Sequence, residues 1–314
     1  MRRLALALVV AAAPLTAQQP PYRDASLSTA VRARDLLGRM TLEEKFGQLY
    51  MLPGDLAPDS SRFRNGLFGL QIAARGDRGD AAAQLLTRDA TGSARDVATR
   101  LNATQRWFRE RTRLGIPIIP FEEGLHGLVQ SGATVFPQAI GLAATWDTAL
   151  VGRVAKAIAD EARSRGVRQI LSPVLNVVTD VRWGRVEETY GEDPWLTSRL
   201  GVAFVTPFER AGVITTPKHF AANVGDGGRD SYPIHFDQRF LDDVILPPFR
   251  AAVAAGARSM MASYNSVGGS PSTANAMLLT ETLRRRVGLW RLRDCRCRRH
   301  RRRERAALHR SRLP

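Results

Sequence analysis

One pattern repeats along this chain: a short apolar run, a few polar residues, then a helical segment. Ile116-Pro-Ile-Ile-Pro-Phe121, Ile170-Leu-Ser-Pro-Val-Leu-Asn176, Ile214-Thr-Thr-Pro-Lys-His-Phe220 and Ser259-Met-Met-Ala-Ser-Tyr264 read as strands, and Gly69-Leu-Gln-Ile72 as an earlier one. Between them, Thr148–Arg165, Trp195–Ala211 and Asp242–Ala255 carry apolar residues at helical spacing. Ala30-Val31, Leu36-Leu37 and Met40 form a first helical pattern, and Thr41-Leu-Glu-Glu44 reads as a capping box that opens the next helix. Strand, loop and helix alternating over about 250 residues predict an α/β fold of the (β/α)8 TIM-barrel type. A doubly wound sheet is disfavoured, since no Gly-x-Gly-x-x-Gly turn follows an early strand. In a barrel, polar residues just past each strand gather at one rim. Glu122-Glu123, Asn176, Lys218-His219 and Tyr264-Asn265 hold those positions.

Charge does not change this reading. The net charge is +16, but residues 287–314 hold eleven arginines against Asp294 and Glu304, so nine of the sixteen charges lie there. The modest excess elsewhere dictates no partner, and no nucleic acid is expected for the barrel. Both cysteines, Cys295 and Cys297, also lie in that stretch, so no disulfide or thiolate site operates in the body of the chain. Residues 1–17 have the layout of an export signal: Arg2-Arg3, an apolar Leu4–Ala13, then Leu15-Thr16-Ala17. The expectation is a secreted or periplasmic protein that keeps no membrane span once the signal is removed.

Three clusters offer chemistry. Glu122-Glu123 and His126 close one strand, and these carboxylates fit catalysis, metal binding or a solvated loop. A zinc site is disfavoured because no second histidine stands at helical spacing from His126, which fits a structural role equally well. Arg182-Trp-Gly-Arg-Val-Glu-Glu-Thr-Tyr-Gly-Glu-Asp-Pro194 packs two arginines, an indole and four acids into thirteen residues. That composition suits a sugar, whose hydroxyls meet donors and acceptors while its C–H faces meet an aromatic ring; it also suits a salt-bridged loop. Lys218 and His219 are adjacent on a strand, so both can face one ligand only across a bend or bulge. Gly225-Asp-Gly-Gly-Arg229 lacks the Lys-Ser/Thr of a phosphate loop.

Six ordered blocks together resemble glycoside hydrolase family 3, the exo-acting β-glucosidase and β-xylosidase family. They are Arg39-Met-Thr-Leu-Glu-Glu-Lys45 with Gly47-Gln-Leu49, Gly115–Gly127, Phe136-Pro-Gln-Ala-Ile-Gly141, Arg182–Pro194, Lys218-His-Phe220 and Ala262-Ser-Tyr-Asn265. The resemblance spans about Thr29 to Arg286 and implies a barrel domain over residues 28–286. It implies that Glu123 accepts hydrogen bonds from sugar hydroxyls, and that Arg185, Lys218, His219 and Arg229 surround the non-reducing sugar. It places Tyr264 beneath the reacting centre. It implies no cofactor and no metal, and a β-linked glucoside or xyloside oligosaccharide as partner. Glu122 and Glu188 are read as supports for Arg182 or Arg185.

The family is retaining: an Asp attacks the anomeric carbon and a second carboxyl protonates the leaving oxygen. The family's nucleophile follows a Leu-Arg-x-x-x-Gly-Phe-like stretch, which Leu283-Arg284 begins; Val287-Gly-Leu-Trp-Arg-Leu-Arg-Asp-Cys-Arg-Cys-Arg-Arg-His300 then departs from it. Asp294 lacks an apolar strand before it and is not assigned as nucleophile. The preferred reading is a shifted frame: one base later, the Cys-Arg-Cys-Arg codons give Asp alternating with Ala, with the lost Asp at the Arg296–Cys297 junction. No catalytic carboxyl is therefore assigned. Residues 287–314 are expected to be a disordered tail, and the barrel to be incomplete at its C-terminal end. The expected activity is a secreted β-D-glucosidase type, inactive in this truncated form. The alternatives are a β-xylosidase, or a non-catalytic protein binding sugar or, through the tail, a polyanion.

Overall fold

The computed structural model describes residues 19–54, 56, 59–71, 92–225 and 229–289. The export signal, Ile72, Asp226–Gly228 and the stretch from residue 290 lie outside the described residues. The chain divides into two units, whose described parts are residues 19–40 and the segment from Thr41 onward. The first contains helix α1, Thr29–Arg39, capped by the Ser28 hydroxyl. Its apolar spacing makes a helix, yet none of its residues is buried.

In the second unit, α2 (Leu42–Gly47) begins at the expected capping box, with Thr41 and Glu44 bonding reciprocally. The sheet follows: β1 (Met51–Pro53), β2 (Gly69–Gln71), β3 (Ile119–Glu122), β4 (Gln169–Ile170) and β5 (Ile214–Thr215), all parallel and adjacent in chain order. The expected Ile214–Phe220 strand divides in two. β6 (Lys218–Phe220) resumes after Pro217, bridges to Val174 and pairs with β7 (Met261–Ala262) in parallel. A short antiparallel hairpin, β8 (Ser266–Val267) with β9 (Ser270–Pro271), completes the strands among the described residues. The parallel strands form the expected α/β barrel wall, and the barrel is not closed. Pro120 is tolerated inside β3 because the ladder uses its carbonyl, which accepts from the Arg168 amide at 2.8 Å.

Helices connect the strands. They are α3 (Ala94–Arg111), short α4 (Ala139–Ala143), α5 (Thr148–Ser164), α6 (Pro194–Arg210) and α7 (Leu246–Ala255). Asp147 and Asp193 cap α5 and α6 through their carboxylates, and Pro194 fills the first position of α6, where no amide partner is needed. α5 buries Val151, Val154, Ala155, Ile158, Ala159 and Ala162, a stripe at helical period that packs on α6. The expected Asp242–Ala255 helix begins differently: Leu241–Ile245 is a π-turn in which the Leu246 amide reaches the Leu241 carbonyl. Pro247 and Pro248 have no amides to give to the preceding turn, and the wider turn accommodates them. One apolar core joins α5, α6 and α7 to the strands and includes Leu175, Phe204, Phe220 and Phe249; Val287 and Leu289 pack on it. A second holds Phe63, Leu70, Leu101, Phe108 and Ile118.

Gly69 carries a close strand approach, since a β-carbon there would lie 2.6 Å from the Ile119 carbonyl oxygen. Gly152 on α5 has only an ordinary contact at 3.8 Å. Gly69→Ala is therefore expected to destabilise the fold by ~1–3 kcal/mol through overpacking. Gly152→Ala should be neutral or stabilise by up to about 1 kcal/mol through helix propensity. Urea denaturation of the two variants checks both signs.

Candidate functional site

The ends of β3, β4, β6 and β7 and the loops after them bring the expected site residues together. Glu123 follows β3 directly. Its loop is held by Val129 donating to the Glu123 carbonyl, and by a mutual pairing of His126 and Phe136. In that pairing a His126 ring nitrogen meets the Phe136 carbonyl, so this histidine has a structural task. Gly127 is required in the same loop: its φ is +142°, and a β-carbon would lie 2.4 Å from the Thr134 carbonyl.

Lys218 opens β6 and is almost wholly buried. Its ammonium donates to both oxygens of Glu123, at 3.1 and 2.9 Å, joining residues 95 apart in the chain. The bend that would let Lys218 and His219 serve one site is present, because the β6–β7 register shifts between Lys218 and Phe220. His219 is buried against Asn176, whose Oδ1 lies 2.9 Å from the His219 amide and 3.2 Å from ring Nδ1. Burial drives the His219 pKa well below its ordinary value, and the nearby charges of Arg185, Lys218 and Arg229 push it the same way. The imidazole is therefore neutral. The Tyr264 ring stands 6.3 Å from the His219 ring and is 67% exposed, the open side of the cluster.

Arg185 lies in a dense ionic group. It donates twice to Glu188, at 2.8 Å each, and once to Asp230 at 2.9 Å. Burial alone would lower the Arg185 pKa, but the hydrogen bonds and charge of Glu188, then of Asp230, raise it above the usual value. Arg229, half exposed, donates to Asp230 at 2.8 Å. It sits in the left-handed region at φ +43°, with its carbonyl accepting from the Trp183 indole. Burial raises the Asp230 pKa, but Asn223 and Arg185, donating to it, hold it below the ordinary carboxylate value.

Some expectations change. Glu122 supports neither arginine: it is fully buried inside the barrel wall, accepting from Gln71 of β2 at 2.5 Å. Glu188 does support Arg185, whereas Arg182 is a surface residue paired with Asp180. Trp183 offers no exposed face to a sugar; at 1% exposure it braces Asn223 and the Arg229 carbonyl. Asp230, Asn223 and the anchoring role of Asn176 were not singled out by the sequence. Their only signal is position, Asn176 at a strand end and the other two flanking the glycine loop. Among the described residues no group of three or more His, Cys, Asp or Glu is arranged to hold a metal.

The arrangement supplies donors in Lys218, Arg185 and Arg229, an acceptor carboxylate in Glu123, and a neutral imidazole 6.3 Å from an exposed tyrosine ring. The Glycosyl hydrolase family 3 N terminal domain matches residues 41–290. A β-xylosidase of Formosa agariphila is 41% identical over 197 residues, covering 56% of this chain and 27% of that protein. The periplasmic β-glucosidase of Salmonella typhimurium is 31% identical over 280 residues, covering 86% and 32%. The structure of a β-glucosidase from Erythrobacter marinus superposes with a TM-score of 0.74 at 36% identity, over 86% of this chain and 36% of that one. The chain spans less than a third of the length of either curated relative.

Because His219 is neutral when folded, the unfolded chain binds the extra proton below about pH 6.5. Stability is then full above that value and falls as pH drops below it, with a slope approaching ~1.4 kcal/mol per pH unit for one proton. Urea denaturation at pH 7.5 and 5.5 should show the loss, and His219→Gln should show less of it. Equal slopes in both proteins would mean that the ring protonates without cost.

Proposed function

The chain belongs to glycosyl hydrolase family 3, a family of glycoside hydrolases, and from that premise we propose that its rim cluster is the binding shell for the non-reducing-end sugar of a β-glucoside. The observation that carries the reading is the Lys218–Glu123 pair. A buried ammonium at the start of β6 and a carboxylate just past β3 present fixed donors and acceptors to a ring of hydroxyls. In this reading Glu123 accepts from hydroxyls remote from the anomeric carbon. Lys218, Arg185 and Arg229 donate, His219 lies against the ring, and Tyr264 sits beneath the reacting centre. A retaining exo-glycosidase is the activity this shell serves, with β-D-glucoside preferred and β-xyloside the runner-up. Both activities occur among the named relatives. Glu123, longer than Asp, takes up part of the room that a hydroxymethyl group needs, which keeps xylose close behind.

The same carboxylates are poor candidates for the bond-breaking steps. Glu123, Glu188 and Asp230 each face a cation, and a general acid must instead be held protonated. We assign them to binding, and none of them as nucleophile. Export from the cytoplasm fits the first seventeen residues and the periplasmic relative.

Calorimetric titration with glucose and with xylose tests the shell. Lys218→Met and Glu123→Gln should each weaken glucose binding by roughly 10–100-fold, the range of one lost charged hydrogen bond. Unchanged affinity in both would place the sugar elsewhere. In a parallel assay on nitrophenyl β-glucoside and β-xyloside, the 314-residue chain should release no nitrophenol above blank. Release that Glu122→Gln or Glu188→Gln abolishes would show that a carboxylate given no catalytic role here does the chemistry.

A further inference from the structure

Within this shell, and resting on the sugar-binding reading of it, we propose that Asn176 is a positioning residue that locks His219 in one tautomer. Nδ1 carries the proton, and Nε2 meets the sugar as a bare acceptor.

The orientation of the Asn176 amide is fixed by its own partners. Its Nδ2 donates to the His219 carbonyl at 3.1 Å and to the Ala221 carbonyl at 3.4 Å. Two carbonyls can be met only by the NH2 end, so the oxygen end is the one turned to His219. That oxygen accepts from the His219 backbone amide at 2.9 Å and lies 3.2 Å from ring Nδ1. An amide oxygen has no proton to give, so the proton in this contact belongs to Nδ1. A neutral imidazole carries one proton only, which leaves Nε2 with its lone pair. Among the described residues no group hydrogen-bonds Nε2, and it is not one of the sealed, unpartnered polar atoms of the interior. The largely exposed Tyr264 ring lies 6.3 Å from the His219 ring.

The consequence is a rule about hydroxyls. Lys218, Arg185 and Arg229 can only donate, so they accept any oxygen with a free lone pair. Nε2 can only accept, so the hydroxyl beside it must point its hydrogen inward. A group that accepts but cannot donate, such as fluorine, is tolerated opposite the cations and rejected at Nε2. Protonating the ring would turn the same contact into a donor and erase the distinction. Burial of the ring and three neighbouring cations oppose that step.

The first test needs no sugar. The 314-residue chain with 15N-labelled histidine is examined at pH 7 by long-range proton–nitrogen correlation, with His219→Gln identifying the signals. The expected pattern for residue 219 is a protonated, pyrrole-like Nδ1 and a pyridine-like Nε2. A protonated Nε2, alone or with Nδ1, overturns the proposal. Asn176→Ala should move residue 219 toward the Nε2–H form, a change that loss of packing alone would not direct. An unaltered tautomer in a folded variant would remove Asn176 from the role, and the native spectrum stands as the test should that variant not fold. The second test titrates glucose and its monodeoxyfluoro derivatives. One position should lose roughly tenfold in affinity, as for one hydrogen bond, and lose nothing further in His219→Phe. Equal tolerance at every position overturns the acceptor role. Failure of the native chain to bind glucose at all overturns the sugar-binding reading, and the tautomer is still decided by the spectrum.

Discussion

Burying an ammonium costs several kcal/mol unless an anion and further hydrogen bonds meet it, and Lys218 is 3% exposed. That constraint organises the rim. Lys218 must find Glu123, so the end of β3 and the start of β6 are pinned to one point although two strands lie between them in the chain. With Lys218 pinned, the register shift at β6 turns the next side chain toward the same space, and Asn176, six residues past β4, holds it there. The second ionic group repeats the logic at Arg185, whose burial is matched by two carboxylates rather than one. The buried polar side chains of the cluster are therefore each held by partners within the chain.

Much of this was legible in the sequence because it is written in local signals. Apolar runs ending in polar residues locate the strands within a few positions, and the Thr41–Glu44 box is complete within four residues. The six candidate residues lie at those strand ends or in the dense segment 182–194 and the glycine loop. What escaped depends on distance or on burial. Nothing near Glu122 announces Gln71, 51 residues away on the neighbouring strand, as its partner. Trp183 and Arg182 are adjacent and look equally suited to a sugar, yet the indole turns inward to Asn223 while the guanidinium stays at the surface with Asp180. Asp230 follows Arg229 without any motif of its own, and its value comes from lying between two arginines brought from different loops. The π-turn before α7 was hidden for the opposite reason: a helical hydrophobic pattern persists through it, and only the two prolines hint that the hydrogen bonding does not.

The strand order β1-β2-β3-β4-β5, continued by β6 and β7, is also the order in which the chain is made. A sheet of this kind can grow as synthesis proceeds, each new strand meeting the edge left by the one before, with no earlier pairing to undo. The long closures that slow many parallel sheets are then taken one helix at a time. The site does not share that gradual history. Glu123 emerges first and waits for Lys218, His219 and Arg229, while Tyr264 comes later still, so the wall accumulates stepwise but the polar cluster is complete only once residue 264 has been made.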